Sequence, residues 1–220
     1  MQTFDTPAPI AAVLDLPAGR VRFVAAERPD TVVEIRPANP STGRDVKLAE
    51  QIAVAYGDGV LRITAPATNR LGNPGAVEVT VHLPAGSRVE AKAGAAELST
   101  AGQLGEITAA CAQGSIEVER AAAAHLTTLA GDVTVGRLDG PAEISTQQGA
   151  IRIAEAVRGA LVLRTRAGDI AVGAAAGSSA VLDAGTGHGR IHNAFRNAGG
   201  DVVLTVHATT AHGDITARSL

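Results

Sequence analysis

The chain has 220 residues, a formal net charge of −3 and no tryptophan, and it is 45% hydrophobic but only 2% aromatic. A broad globular core of this length normally draws on large aromatic side chains, so the interior predicted here is thin and filled by Ala, Val, Ile and Leu. Nucleic acid is excluded as a partner class, because there is no basic run and the only aromatic rings are Phe4, Phe23, Tyr56 and Phe195.

In chain order, residues 1–10 carry two prolines and read as an extended lead-in. Residues 10–16 read as a strand, Leu16-Pro17-Ala18-Gly19 as a turn, and residues 20–24 as an alternating strand with Val21 and Phe23 inward. A further strand is predicted over 31–36 and a loop over 37–44. Residues 45–51 form the only plausible helix, short and exposed. Residues 52–56 and 60–64 flank Gly57-Asp58-Gly59, a hairpin signal. A second loop is expected between Pro66 and Gly75, and then residues 76–83 alternate, with Val77, Val79, Val81 and Leu83 inward. Leu83-Pro84-Ala85-Gly86 repeats the earlier tetrapeptide, and again a strand follows.

From there one pattern recurs. Glycines at 94, 114, 131, 149, 168, 189 and 213 stand 20, 17, 18, 19, 21 and 24 residues apart. Two residues after the glycine come Ile116, Val133, Ile151, Ile170, Ile191 and Ile215; four after it come Val118, Val135, Ile153, Val172, Asn193 and Ala217. Strand side chains alternate, so both columns point inward. One such repeat cannot bury its own apolar face, whereas stacked rungs bury a continuous column. Glycine suits a sharp corner within the layer spacing. The fold class predicted is all-β: a parallel β-solenoid (β-helix-like) over residues 87–220, with residues 1–86 an irregular β N-terminal cap region and the whole one continuous folding unit. The core tapers at Asn193 and Ala217, so the last rung is expected to leave an edge near Ala217 and Ser219, giving a monomer or a homodimer.

Candidate sites are few. After the glycines stand Ser115, Asp132, Ala150, Asp169, Arg190 and Asp214, a turn ladder in which Asp is expected to bond backbone N–H groups and Arg190 to neutralise two neighbours. His188 and His212 each precede a ladder glycine; with Asp214 or His192 they are weak metal candidates, and no metal or other cofactor is expected. His207 lies in the strand before. The only lysines are Lys47 and Lys92, and no nucleophile triad, paired-carboxylate motif or phosphate loop is visible, Gly185–Gly189 lacking the context of one. Cys111 is read as a buried small residue. The N-terminus lacks the pattern of a signal peptide and no run is long enough to span a membrane, so the expected location is cytoplasmic.

Several stretches together carry a family resemblance: Phe4-Asp5-Thr6-Pro7, Asp30-Thr-Val-Val-Glu-Ile-Arg-Pro37 followed by Asp45-Val46, Ala49-Glu50-Gln51, Leu83-Pro-Ala-Gly-Ser-Arg88 and the Gly-Asp-Ile/Val repeats. In this order they resemble the actinobacterial branch of the putative-adhesin β-strand-repeat family, built on a domain of unknown function. The resemblance spans essentially the whole chain. It implies a parallel β-solenoid and no established enzymatic activity, and it supplies no site residues. The functional expectation is a non-enzymatic scaffold or protein-interaction module, self-associating or bound to a protein partner; the alternative is an adhesin-like or carbohydrate-binding cell-surface protein.

Overall fold

The computed structural model describes residues 1–66, 75–196 and 202–220; the loop expected between Pro66 and Gly75 lies outside them. The fold is all-β and solenoid-like, with one helix among the described residues. Its backbone contacts gather into two units, Met1–Gly114 and Ser115–Leu220.

The first unit holds β1 (Gln2–Asp5), β2 (Ala11–Ala26), β3 (Asp30–Pro37), α1 (Gly43–Gln51), β4 (Ala53–Gly57), β5 (Val60–Thr64), β6 (Val77–Pro84), β7 (Arg88–Ala101) and β8 (Gln103–Gln113). Two long parallel strands, β2 and β7, run side by side for most of their length. The first half of β2 also pairs with β5, and its second half with β6. β1, β3 and β6 are joined antiparallel, as are β4 and β5 across a turn where Asp58 and Gly59 both have positive φ, 52° and 74°. That pair of dihedrals matches the hairpin read from Gly57-Asp58-Gly59. Val21, Phe23, Val77, Val79, Val81 and Leu83 are all buried, as their alternation requires.

Two readings of this unit change. Leu16-Pro17-Ala18-Gly19 is not a turn but the middle of β2, whereas the identical Leu83-Pro84-Ala85-Gly86 does end a strand. Context decides: the parallel partner β7 continues past Gly19 and holds the first copy extended. The corner beneath Gly114 is occupied by Ala96 and not Gly94, because an added Cβ on Gly114 would fall 2.0 Å from the Ala96 carbonyl oxygen.

Inside the helix region, Asp45 is buried at 7% exposure and accepts from the Asn39 and Ala76 N–H groups at 3.2 and 3.0 Å. Burying a carboxylate is costly unless its oxygens find donors, and here both do.

The second unit holds β9 (Ile116–Ala130), β10 (Val133–Leu138), β11 (Ala142–Gln148), β12 (Ile151–Ala156), β13 (Gly159–Ala167), β14 (Ile170–Ala174), β15 (Ala180–His188), β16 (Ile191–Ala194), β17 (Leu204–His212) and β18 (Ile215–Ser219). They form two parallel ladders. One runs β9–β10–β12–β14–β18–β16. The other runs from the second half of β9 through β11, β13 and β17 to β15. Glycine corners join the ladders, so each rung is a strand, a corner and a strand.

The order of rungs departs from the order of the sequence. The rung β17–Gly213–β18 lies between β13–Gly168–β14 and β15–Gly189–β16. Burial gives the reason. Ile215 and Ala217 fill their column at 1% and 0% exposure, whereas Ile191 is 45% exposed and Asn193 is exposed too. Placing the rung that carries Asn193 last leaves its amide in water instead of in the core. The chain steps over one layer between Gly168 and Gly189, 21 residues apart, and returns by one layer between Gly189 and Gly213, 24 residues apart; these are the two longest intervals in the series. The edge expected at Ala217 and Ser219 is therefore interior, and the outer rung is β15–β16.

At the corners the layer spacing leaves no room for a side chain. A Cβ on Gly149 would lie 2.1 Å from the Gly131 carbonyl oxygen, and one on Gly168 2.0 Å from that of Gly149, with φ of 146° and 154°. Both the close approach and the positive φ demand glycine.

Candidate functional site

The corners carry a second and a third column besides the glycines. Three residues before the glycine stands threonine: Thr146, Thr165, Thr210 and Thr186 donate their hydroxyls to the carbonyls of Gly131, Gly149, Gly168 and Gly213 in the preceding rung, at 3.3, 3.0, 3.0 and 3.0 Å. This threonine column was not singled out from the sequence, although Thr at the third position before glycine in successive repeats is the signal that reveals it. Thr128 holds the same position at 1% exposure, and its Oγ1 has no hydrogen-bond partner among the described residues. In the first unit Cys111 stands three residues before Gly114, buried at 5% exposure, and burial pushes its thiol pKa up.

After the glycine stands the turn ladder. Asp132 accepts the N–H of Ala150, Asp169 that of Asp214, and Asp214 that of Arg190, each at 2.8 Å. The side-chain-to-backbone role expected of these aspartates is what the structure contains. The order differs: Asp169, Asp214 and Arg190 follow one another, so Arg190 sits at the outer end beside one aspartate and not between two.

His188 and His212 are brought together, their rings stacked at 4.8 Å between centroids and 3° from parallel. Asp214 has its Oδ1 committed to the Arg190 N–H. Among the described residues no three His, Cys, Asp or Glu side chains converge as a metal ion requires. His192 lies apart on the outer rung, and His207 pairs with Asp183 at 3.1 Å on the outer face of the other ladder.

Charge concentrates at a different edge. Asp139 takes Arg120 and Arg137 at 2.9 Å each, and Arg137 reaches Glu155 at 2.5 Å. Burial alone would push the Asp139 carboxyl up, but hydrogen bonds from Arg120 and then Arg137 outweigh it and hold the pKa below the usual carboxylate value. The bonds that Arg137 donates to Asp139 and Glu155 raise its own pKa. Arg158 adds a bond to the Asp139 carbonyl at 3.2 Å. This network ties successive rungs and offers no open coordination.

Two shallow grooves lie on the outer surfaces, one in each unit. The groove of the first unit, about 430 Å³, contains Arg20, which is neutralised by Glu78 at 2.8 Å and Glu97 at 3.1 Å within the same groove. The groove of the second, about 460 Å³, crosses β12, β14 and β18 and is lined by Arg152, Arg218, Thr134 and Thr216 over a floor that includes Ala171 and Gly173, with no acidic residue in its wall. No described helix is long and apolar enough to cross a membrane.

The fold has solved counterparts. A crystal structure of a putative adhesin from Bacteroides fragilis NCTC 9343 superposes with a TM-score of 0.61 at 12% identity, covering 98% of this chain and 95% of that one. Another, of a putative adhesin from Parabacteroides distasonis ATCC 8503, gives 0.53 at 13% identity, with 98% and 95% covered. At such identities the likeness is one of fold. No curated protein matches the sequence. Residues 21–219, nearly the whole chain and both units, match the family described as Toastrack DUF4097, and the chain belongs to that family.

Proposed function

We propose that this Toastrack chain is a non-catalytic interaction module and that it works through the uncovered outer rung of its second unit. One observation carries the reading. Ile191 is 45% exposed in a column whose other members, Ile151, Ile170 and Ile215, are exposed by no more than 1%. Among the described residues β15 pairs only with β17 and β16 only with β18, so the outer side of residues 181–188 and of β16 meets no further described strand. Natural edges are guarded by lysine, proline or a bulge, and β15, Ala180-Val-Leu-Asp-Ala-Gly-Thr-Gly-His188, has no lysine or proline.

The occupant proposed is a second copy, β15 meeting β15 antiparallel across a two-fold axis. The positive charge of Arg190 at the corner favours this arrangement, since antiparallel pairing carries the two corners to opposite ends. Sedimentation velocity over micromolar concentrations tests it: a dimer for the native chain and a monomer for Ile191→Lys are expected, and a native monomer throughout rejects the self-associating form.

A second reading, a cell-surface adhesin, takes its support from the two crystal structures named as putative adhesins. Fractionation and protease shaving of cells that make the native protein separate it from a cytoplasmic module. Placement in the actinobacterial branch rests on the motif order from Phe4 through Arg88 to the Gly-Asp-Ile/Val repeats and is tested by a tree of full-length relatives.

A further inference from the structure

The groove over β12, β14 and β18 is a surface separate from the outer rung. From its chemistry we infer that it is a binding site for an acidic oligosaccharide, one whose carboxylates meet Arg152 and Arg218.

The charge in this groove is compensated only in part, at Arg152. The side chain of Arg218 is exposed and makes no hydrogen bond or ion pair with any other described residue, and that of Arg152, 55% exposed, has only a 3.5 Å contact to Asp132. The first unit's groove provides the contrast, for there two glutamates already satisfy the arginine. A guanidinium is a donor-only fork matched to carboxylate, so one free fork on Arg218, one on Arg152 held only by a long Asp132 contact, and two hydroxyls, from Thr134 and Thr216, define an anionic, hydroxyl-rich ligand.

The register sets the spacing. Arg152 lies opposite Ala171, which lies opposite Thr216, and Arg218 follows two residues on, opposite Gly173. From strand and ladder spacings the two arginine Cα atoms stand roughly 12 Å apart on a diagonal. Between them the floor is low. Gly173 cannot carry a side chain, because a Cβ there would lie 2.1 Å from the Ala154 carbonyl oxygen. A ligand can therefore lie flat on the sheet and reach both arginines.

The backbone decides between a peptide and a sugar. An extended peptide gains its affinity at a sheet by main-chain pairing along an edge. β14, the floor of this groove, is hydrogen-bonded on both sides, to β12 and to β18, and has no edge to give. Recognition must come from side chains, as suits a saccharide carrying carboxylates and hydroxyls.

Calorimetric titration of the full chain with the trimer of galacturonic acid tests the site. Saturable binding is expected, weakened at least ten-fold by Arg152→Gln and by Arg218→Gln and unchanged by Arg164→Gln, on the other ladder. The methyl-esterified trimer is expected not to bind. Circular dichroism of each variant checks that it folds; all three arginines are exposed. Three results overturn the inference: no binding by the trimer at millimolar concentration, binding indifferent to both groove arginines, or equal binding of a glutamate oligomer of matched charge. None of these bears on the dimer, which forms elsewhere.

Discussion

Replacing Gly168 by alanine strikes the geometry on which the stack depends. The new Cβ would sit 2.0 Å from the Gly149 carbonyl oxygen and 2.5 Å from its carbon, both rigid backbone atoms of the neighbouring rung. Contact normally begins near 3.4 Å, so the rungs must part by more than an ångström. Forcing a packed interior apart costs about 1–3 kcal/mol, and holding a non-glycine residue at a φ of 154° adds about 1–3 kcal/mol. A total loss of about 2–6 kcal/mol is expected. Gly185→Ala is the matched control, since its Cβ meets nothing within 4 Å and its φ is not positive; reduced freedom of the unfolded chain makes it neutral or stabilising by up to about 1 kcal/mol. Urea unfolding followed by far-ultraviolet circular dichroism reads both. A Gly168→Ala protein within about 0.5 kcal/mol of the parent, or a Gly185→Ala protein equally destabilised, would refute the corner argument.

Other consequences follow from burial and hydrogen bonding. Ile151→Ala, at a fully buried site, should cost about 2–5 kcal/mol by the same urea assay, and Ile191→Ala much less, because its side chain already faces water. Thr165→Val removes a hydroxyl bonded to Gly149 and should cost about 0.5–1.5 kcal/mol, whereas Thr128→Val removes a buried hydroxyl with no partner among the described residues and should be neutral or stabilising. Asp139 has a lowered folded pKa, so its contribution is present above the unfolded value of about 3.9 and fades as pH falls through the lower folded one. Asp139→Asn should therefore flatten the fall of stability below about pH 4, measured by thermal melts across that range; an unchanged acid slope would show that the carboxylate does not contribute.

Much of this architecture is written in local pattern. Alternation marked Val77 to Leu83, Gly57-Asp58-Gly59 marked the hairpin turn, and the short charged run from Asp45 became the one helix among the described residues. The aliphatic columns after each glycine were legible because burial in a ladder repeats at every layer. What stayed hidden depends on non-local pairing. Nothing in Leu16-Pro17-Ala18-Gly19 itself says that β7 will hold it extended while its twin at Leu83 turns. The order of rungs was likewise invisible, since Gly168-Asp169-Ile170 and Gly213-Asp214-Ile215 are chemically equivalent neighbours for any rung; only Asn193 and the two long intervals flanking Gly189 betray which one lies outside. The groove follows from that order, because Arg218 comes beside Gly173 only when β18 lies next to β14.

Rung order is thus the claim on which the outer edge and the groove both rest, and disulfide trapping tests it most directly. In a Cys111→Ala background, cysteines replace pairs among Arg164, Thr209 and Gly185, three outward positions in register on β13, β17 and β15. Neighbouring parallel strands bring Cα atoms within bridging range, and strands two layers apart do not. Mild oxidation read by intact mass is expected to close the 164–209 and 209–185 pairs and to leave 164–185 open. Closure of 164–185 with 209–185 also closed and 164–209 open would place the rungs in sequence order and contradict the account.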